Sequence, residues 1–72
     1  MSIEIIRLTD TGWDLSKSTR HSGDIDKWNV IYFLGRMNGQ STIDRIAQFK
    51  FGGDLSKTNN VIRKLRAEGI VI

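Results

Sequence analysis

The chain has no cysteine and a single histidine in 72 residues. No disulfide supports it, and no thiolate chemistry is open to it. That composition fits a reducing compartment. It also leaves too few soft ligands for a metal site. The first residues show no charged-then-apolar signal segment, and no apolar run is long enough to span a bilayer. The expectation is a soluble, intracellular, cytoplasmic protein. There is no internal repeat, no low-complexity tract and no domain linker. The marks of catalysis are missing as well. "FGGD" (51–54) has neither the spacing nor the lysine of a phosphate-cradling loop. Ser, His and Asp all occur, but scattered, and a chain this short leaves little room for a closed pocket. The sequence therefore points away from an enzyme, a cofactor, a bound metal or a small-molecule substrate.

What is present is charge, and its placement says more than its total of +3. Residues 1–40 hold five basic and five acidic side chains, whereas residues 41–72 hold six basic and three acidic. From Ser56 to Arg66 there are four basic residues and no acid. A polyanion would exploit such asymmetry. The ordinary meaning of a charge run is a solvated helix face.

The length allows one domain, residues 1–72, burying only about 60% of the surface its unfolded form exposes. "IEIIRL" (3–8) is Ile-rich and partly alternating, as a strand is. "TDTG" (9–12) reads as a turn, with Gly12 free to take a positive φ. "WDLSKS" (13–18) then reads as a return strand with Trp13 and Leu15 on one face, making residues 1–18 a β-hairpin. The rival reading makes Thr9 a helix cap and 10–17 a short helix.

After a polar connector that includes His21, a surface position by default, "DIDKWNVIYFLGRM" (24–37) carries apolar residues at helical spacing. Asp24 or Ser22 is placed to cap it. It reads as the most buried helix, with Trp28 in the core, and "NG" (38–39) ends it. Gly35 inside it costs about 1 kcal/mol relative to alanine, and either admits another helix closely or permits a bend. Residues 41–50 form a second helix, Ser41 and Asp44 resembling a capping box, with Ile43, Ile46 and Ala47 inward. Residues 54–68 form a third, stopped by Gly69, and "IVI" (70–72) a final strand. One of Phe49 and Phe51 fills the core while the other seals its edge. Trp13 is open to two readings, packing against the third helix, which is the expectation, or base stacking if it is exposed.

At about 100° per residue, Leu55, Thr58, Val61, Ile62 and Leu65 share the inner side of that third helix. The other side offers Ser56, Lys57, Asn60, Arg63 and Lys64, with Asn59 at its flank. Lys and Arg neutralise phosphates. Asn and Arg can pair with base edges in a major groove. A short helix, a glycine turn and a second helix with a polar outer face make a helix-turn-helix signature.

"STIDRIAQF…LSKTNNVIRKLRAEGIVI" resembles the winged helix-turn-helix domains of many small transcription regulators. Their capped helix has Ile-Ala near its middle, and their recognition helix ends in Leu-x-x-x-Gly before an apolar strand. The resemblance covers residues 25–72 and implies an α+β fold of three helices and a small antiparallel sheet. It implies double-stranded DNA as partner, with helix 54–68 in the major groove. By it, Lys57, Thr58, Asn59, Asn60 and Arg63 fall where the family meets DNA. Ser56, Lys57 and Lys64 would position the helix, while Asn59, Asn60 and Arg63 read bases.

The family usually continues with a β-hairpin wing. The sequence given ends at Ile72, and "RLTDTGWDL" (7–15) itself resembles the segment that follows a wing. The expectation is that the N-terminal hairpin pairs with 70–72, which would cover a bare strand edge. Lys17 and Arg20 would then supply wing-like phosphate contacts. One domain offers a small footprint, so tight binding calls for a homodimer, a second domain or a partner protein. The first helix or the N-terminal hairpin would offer the dimer surface. The alternative role is a winged-helix protein–protein interaction module, in which Asn59, Asn60 and Arg63 form a polar rim. An acid-free face favours DNA, because protein-binding faces more often mix both signs.

Overall fold

The computed structural model describes residues 4–18 and 23–72. Its elements run β1 (Ile5–Arg7), α1 (Asp10–Ser16), α2 (Ile25–Arg36), β2 (Gln40–Thr42), α3 (Ile43–Lys50) and α4 (Leu55–Ala67). The fold is α+β, with four helices and a two-stranded antiparallel sheet among the described residues. The sequence expectation of three helices is therefore one short.

Among the described residues the expected N-terminal hairpin is not formed. β1 is a strand, but the chain then turns into α1, the rival reading. Thr9 caps this helix, its hydroxyl accepting from the Gly12 amide at 3.1 Å. The same hydroxyl donates to the Gly69 carbonyl at 2.6 Å, with the Ile70 carbonyl at 3.1 Å. The Thr9 amide donates to that Ile70 carbonyl at 3.0 Å. Gly12 sits inside the helix rather than in a turn because backbone lies against it. A Cβ there would fall 2.2 Å from the Ile70 oxygen and 2.8 Å from Leu8 Cδ2.

β1 pairs with β2 in the register Ile5–Thr42, Ile6–Ser41, Arg7–Gln40. Its other edge meets the C-terminal segment at an antiparallel bridge, Leu8 to Val71. Arg7 and Ile72 exchange backbone hydrogen bonds there, at 3.5 and 2.9 Å. The expected union of the N-terminal segment with 70–72 thus exists, but through β1 and one bridge rather than through a hairpin and a full strand.

Asp24 caps α2, accepting from the Asp26 and Lys27 amides. Asn38 (φ 59°) and Gly39 (φ 84°) reverse the chain after it. β2 was not foreseen. Ser41 lies in it, and Thr42, not Ser41, caps α3 through the Arg45 amide at 3.2 Å. The end of α4 is closed by Gly69 at φ 75°, with Ile70 N–H on the Leu65 carbonyl and Gly69 N–H on that of Arg66. Those two bonds are a Schellman cap.

The core gathers Ile6 from β1, Val30, Ile31 and Leu34 from α2, Ile46 from α3, and Ile62 and Leu65 from α4. Gly35 admits a neighbour, as one of the two sequence readings had it. Its hypothetical Cβ would lie 3.0 Å from Ser16 Cβ of α1. Trp28 is half-buried at the edge of the core. Trp13 packs against the core and on Gly39, where a Cβ would meet its ring at 2.4 Å. Phe51 packs against the core, while Phe49 is exposed and stacked on Phe33 at 5.9 Å.

Ser41 Oγ is buried without a hydrogen-bond partner among the described residues. An unsatisfied buried hydroxyl costs about 1–3 kcal/mol. Ser41→Ala removes that cost and little volume. The expected result is a melting temperature raised by roughly 4–8 °C, the shift that follows from about 1 kcal/mol in a domain this size. A fall would show that the hydroxyl is satisfied in solution.

Candidate nucleic-acid interface

α3 and α4 are joined by a turn with two successive left-handed glycines, Gly52 (φ 61°) and Gly53 (φ 88°). Side chains there would strain the backbone. Asp54 caps α4, its carboxylate accepting from the Lys57 amide at 2.9 Å. That carboxylate occupies an amide of the first turn which a phosphate would otherwise approach. At this end of α4 the side chains of Ser56 and Lys57, rather than that amide, stand open to solvent.

Thr58, Val61, Ile62 and Leu65 are buried, so the inner face of α4 is as the 3.6-residue period requires. Leu55 is the exception, half exposed at the first turn. Thr58 belonged to the expected DNA contacts, and the structure removes it. It is fully buried, and its hydroxyl donates to the Asp54 carbonyl at 2.8 Å. Ser56, Lys57, Asn59, Asn60, Arg63 and Lys64 are all exposed on the one helix. By angle, Ser56, Asn60, Arg63 and Ala67 point furthest from the core, with Asn59 beside them.

Lys57 and Lys64 occupy the flank toward the start of α2 and face acids there. Lys57 Nζ lies 3.6 Å from Asp26 and Lys64 Nζ 3.8 Å from Asp24. Lys27 and Glu68 pair across the same seam at 2.5 Å, and Arg66 pairs with Glu4 at 3.3 Å on the opposite flank. The stretch 56–66 is acid-free in sequence but not in space. Arg63 alone of its four cations has no ion pair among the described residues. The lysine side chains remain 51% and 63% exposed, and exposed pairs of this kind contribute about 0–1 kcal/mol. A phosphate can therefore displace either one.

Lys17 is the C-cap of α1, exposed beside Arg36 of α2, and no described contact links it to α4. The wing-like role that rested on the hairpin loses its basis. Arg20 and His21 lie outside the described residues. The acids Glu4, Asp24 and Asp26 are the residues that the sequence reading missed. Their sequence signal is only that of acids near a strand and at a helix start. Partners as far apart as Lys27 and Glu68, 41 residues, are set by packing alone.

Among the described residues, no three His, Cys, Asp or Glu side chains group as a metal site, and no helix is long and apolar enough to cross a membrane. The geometry defines a small α+β domain with one helix that is polar at its crest and sign-mixed along its flanks. Comparison with protein-family models, curated proteins and solved structures finds no match to this chain.

Proposed function

We propose that the chain binds double-stranded DNA as a winged-helix-like domain, α4 lying in the major groove, in the service of transcription regulation. The observation that carries this reading is the crest of α4. Ser56, Asn59, Asn60 and Arg63 stand exposed along a 13-residue helix, and Arg63 is free of ion pairing among the described residues. Such a helix is about 20 Å long. It enters a groove about 12 Å wide, where Arg pairs with guanine and Asn with adenine. Lys57 and Lys64 fit the backbone on one side. The bridge between Leu8 and Val71 supports the reading further. It sets the segment resembling the one after a wing beside the residues into which the recognition helix leads.

The second reading, a protein-interaction module, is favoured by a specific observation too. The Lys57–Asp26, Lys64–Asp24 and Lys27–Glu68 pairs make one flank sign-mixed, as protein-binding faces are. The test is fluorescence anisotropy with a mixed-sequence duplex at two salt concentrations. Binding that weakens steeply with salt supports DNA. No binding at low salt supports the protein partner.

The acidic fence gives a directional prediction. Asp24→Asn with Asp26→Asn removes two negative charges beside Lys57 and Lys64. The α2 cap survives, because Asn caps about as well as Asp. Affinity for duplex DNA at low salt should rise roughly three- to tenfold, and the gain should shrink as salt is added. Unchanged affinity would mean that this flank does not meet the duplex.

A further inference from the structure

The face between α1 and α2 carries a feature the DNA reading does not use. A groove of about 380 Å³ is lined by Trp13, Ser16, Lys17, Tyr32, Gly35 and Arg36. None of these residues belongs to α4. The volume lies in the range of about 300–1,000 Å³ typical of small-molecule sites.

Its walls are set before any ligand arrives. The Tyr32 hydroxyl donates to the Ser18 carbonyl at 2.5 Å, tying α2 to the end of α1. Trp13 is wedged against Gly39, so its ring cannot drop into the groove without clearing that contact. Gly35 brings α2 close to Ser16 at the base. The Ser16 hydroxyl is already spent on the Trp13 carbonyl at 2.7 Å. Two half-buried aromatic rings thus stand fixed beside two exposed cations.

Lys17 and Arg36 form no ion pair among the described residues, unlike Lys27, Lys57, Lys64 and Arg66. Among the described residues no acid lines the groove. The nearest acid in sequence is Asp14, exposed on α1 and outside the lining. Fixed rings offer stacking faces at little entropic cost. Uncompensated cations next to them favour a carboxylate or phosphate through charge-assisted hydrogen bonds.

We propose that this groove binds a small anion bearing a flat ring, the ring against Trp13 and Tyr32 and the anionic group at Lys17 and Arg36. The site is separate from the DNA reading, and failure of a DNA titration leaves it untouched.

The test is an NMR titration of the full chain with adenosine 5′-monophosphate as probe. Ribose 5-phosphate serves as the ringless control and adenosine as the uncharged one. The Trp13 indole N–H and the amides of Ser16, Lys17, Gly35 and Arg36 should shift along a curve that saturates in the low millimolar range or below. Each control should bind at least about tenfold more weakly, a difference of about 1.4 kcal/mol. Lys17→Gln with Arg36→Gln should lose the probe by a similar factor and keep its spectrum and melting temperature. Equal binding of ribose 5-phosphate, non-saturating shifts, or shifts centred on α4 would each overturn the proposal. The comparison of the three probes on the unaltered chain decides the matter even where the double variant folds poorly.

Discussion

Gly12→Ala should lower the melting temperature by roughly 8–16 °C, the shift expected from about 2 kcal/mol in a domain of this size. Alanine inside a helix ordinarily gains about 1 kcal/mol over glycine. Here the gain is overwhelmed. The new methyl would lie 2.2 Å from the Ile70 carbonyl oxygen, and that atom belongs to backbone, which cannot swing aside as a side chain can. Relief requires α1 to move off the C-terminal segment. That motion strains the Thr9 amide bond to Ile70 at 3.0 Å and the Thr9 hydroxyl bond to Gly69 at 2.6 Å. Overpacking of this kind costs about 1–3 kcal/mol and more where backbone must shift. A domain of 72 residues has about 4–11 kcal/mol in all, so the loss is a large share. Thermal denaturation by circular dichroism measures it directly. An unchanged or raised melting temperature would mean that α1 does not sit against Ile70.

Arg63→Ala should weaken duplex DNA binding by roughly 5- to 150-fold, the equivalent of about 1–3 kcal/mol for one good base contact. Folding should be nearly untouched. Arg63 is exposed on the crest of α4 and makes no ion pair among the described residues, so truncation should move stability within about 0.5 kcal/mol. The two effects are separable by anisotropy and by melting. Full affinity with an intact fold would take Arg63 out of the site. A collapsed fold would contradict its exposure. If Arg63 reads a base, the loss will differ between sequences. If it contacts phosphate, the loss will be uniform and the salt slope shallower by about one unit.

The three longer helices were legible because their signals are local and redundant. In α2 the apolar period agrees with a cap at Asp24, one of the two positions the sequence offered; in α4 four of the five expected inner residues, Thr58, Val61, Ile62 and Leu65, are buried, and Gly69 stops the helix. Two short elements misled. α1 has 7 residues and a glycine at its third position, which in isolation reads as a turn. Only the nearby Ile70 carbonyl explains that glycine, and Ile70 is remote in sequence. β2 has 3 residues, too few for a period, and its Ser41 mimics a helix cap.

The candidate site was legible in outline, since every expected α4 residue except Thr58 is exposed. Thr58 was already assigned to the inner face by angle, yet the family resemblance also put it among the contacts. Burial resolves that conflict. The charge of the site was not legible. Asp24, Asp26 and Glu4 come to α4 only through packing, and they change its flanks from uniformly basic to sign-mixed.

The most direct measurement is a titration of the chain with mixed-sequence duplex DNA at two salt concentrations, followed by amide NMR shifts. If α4 is a DNA-reading helix, the shifts will concentrate on Ser56, Asn59, Asn60, Arg63 and their neighbours, and will fade as salt rises. If those amides stay still at low salt, or if the shifts gather elsewhere on the surface, the crest of α4 is not a nucleic-acid interface.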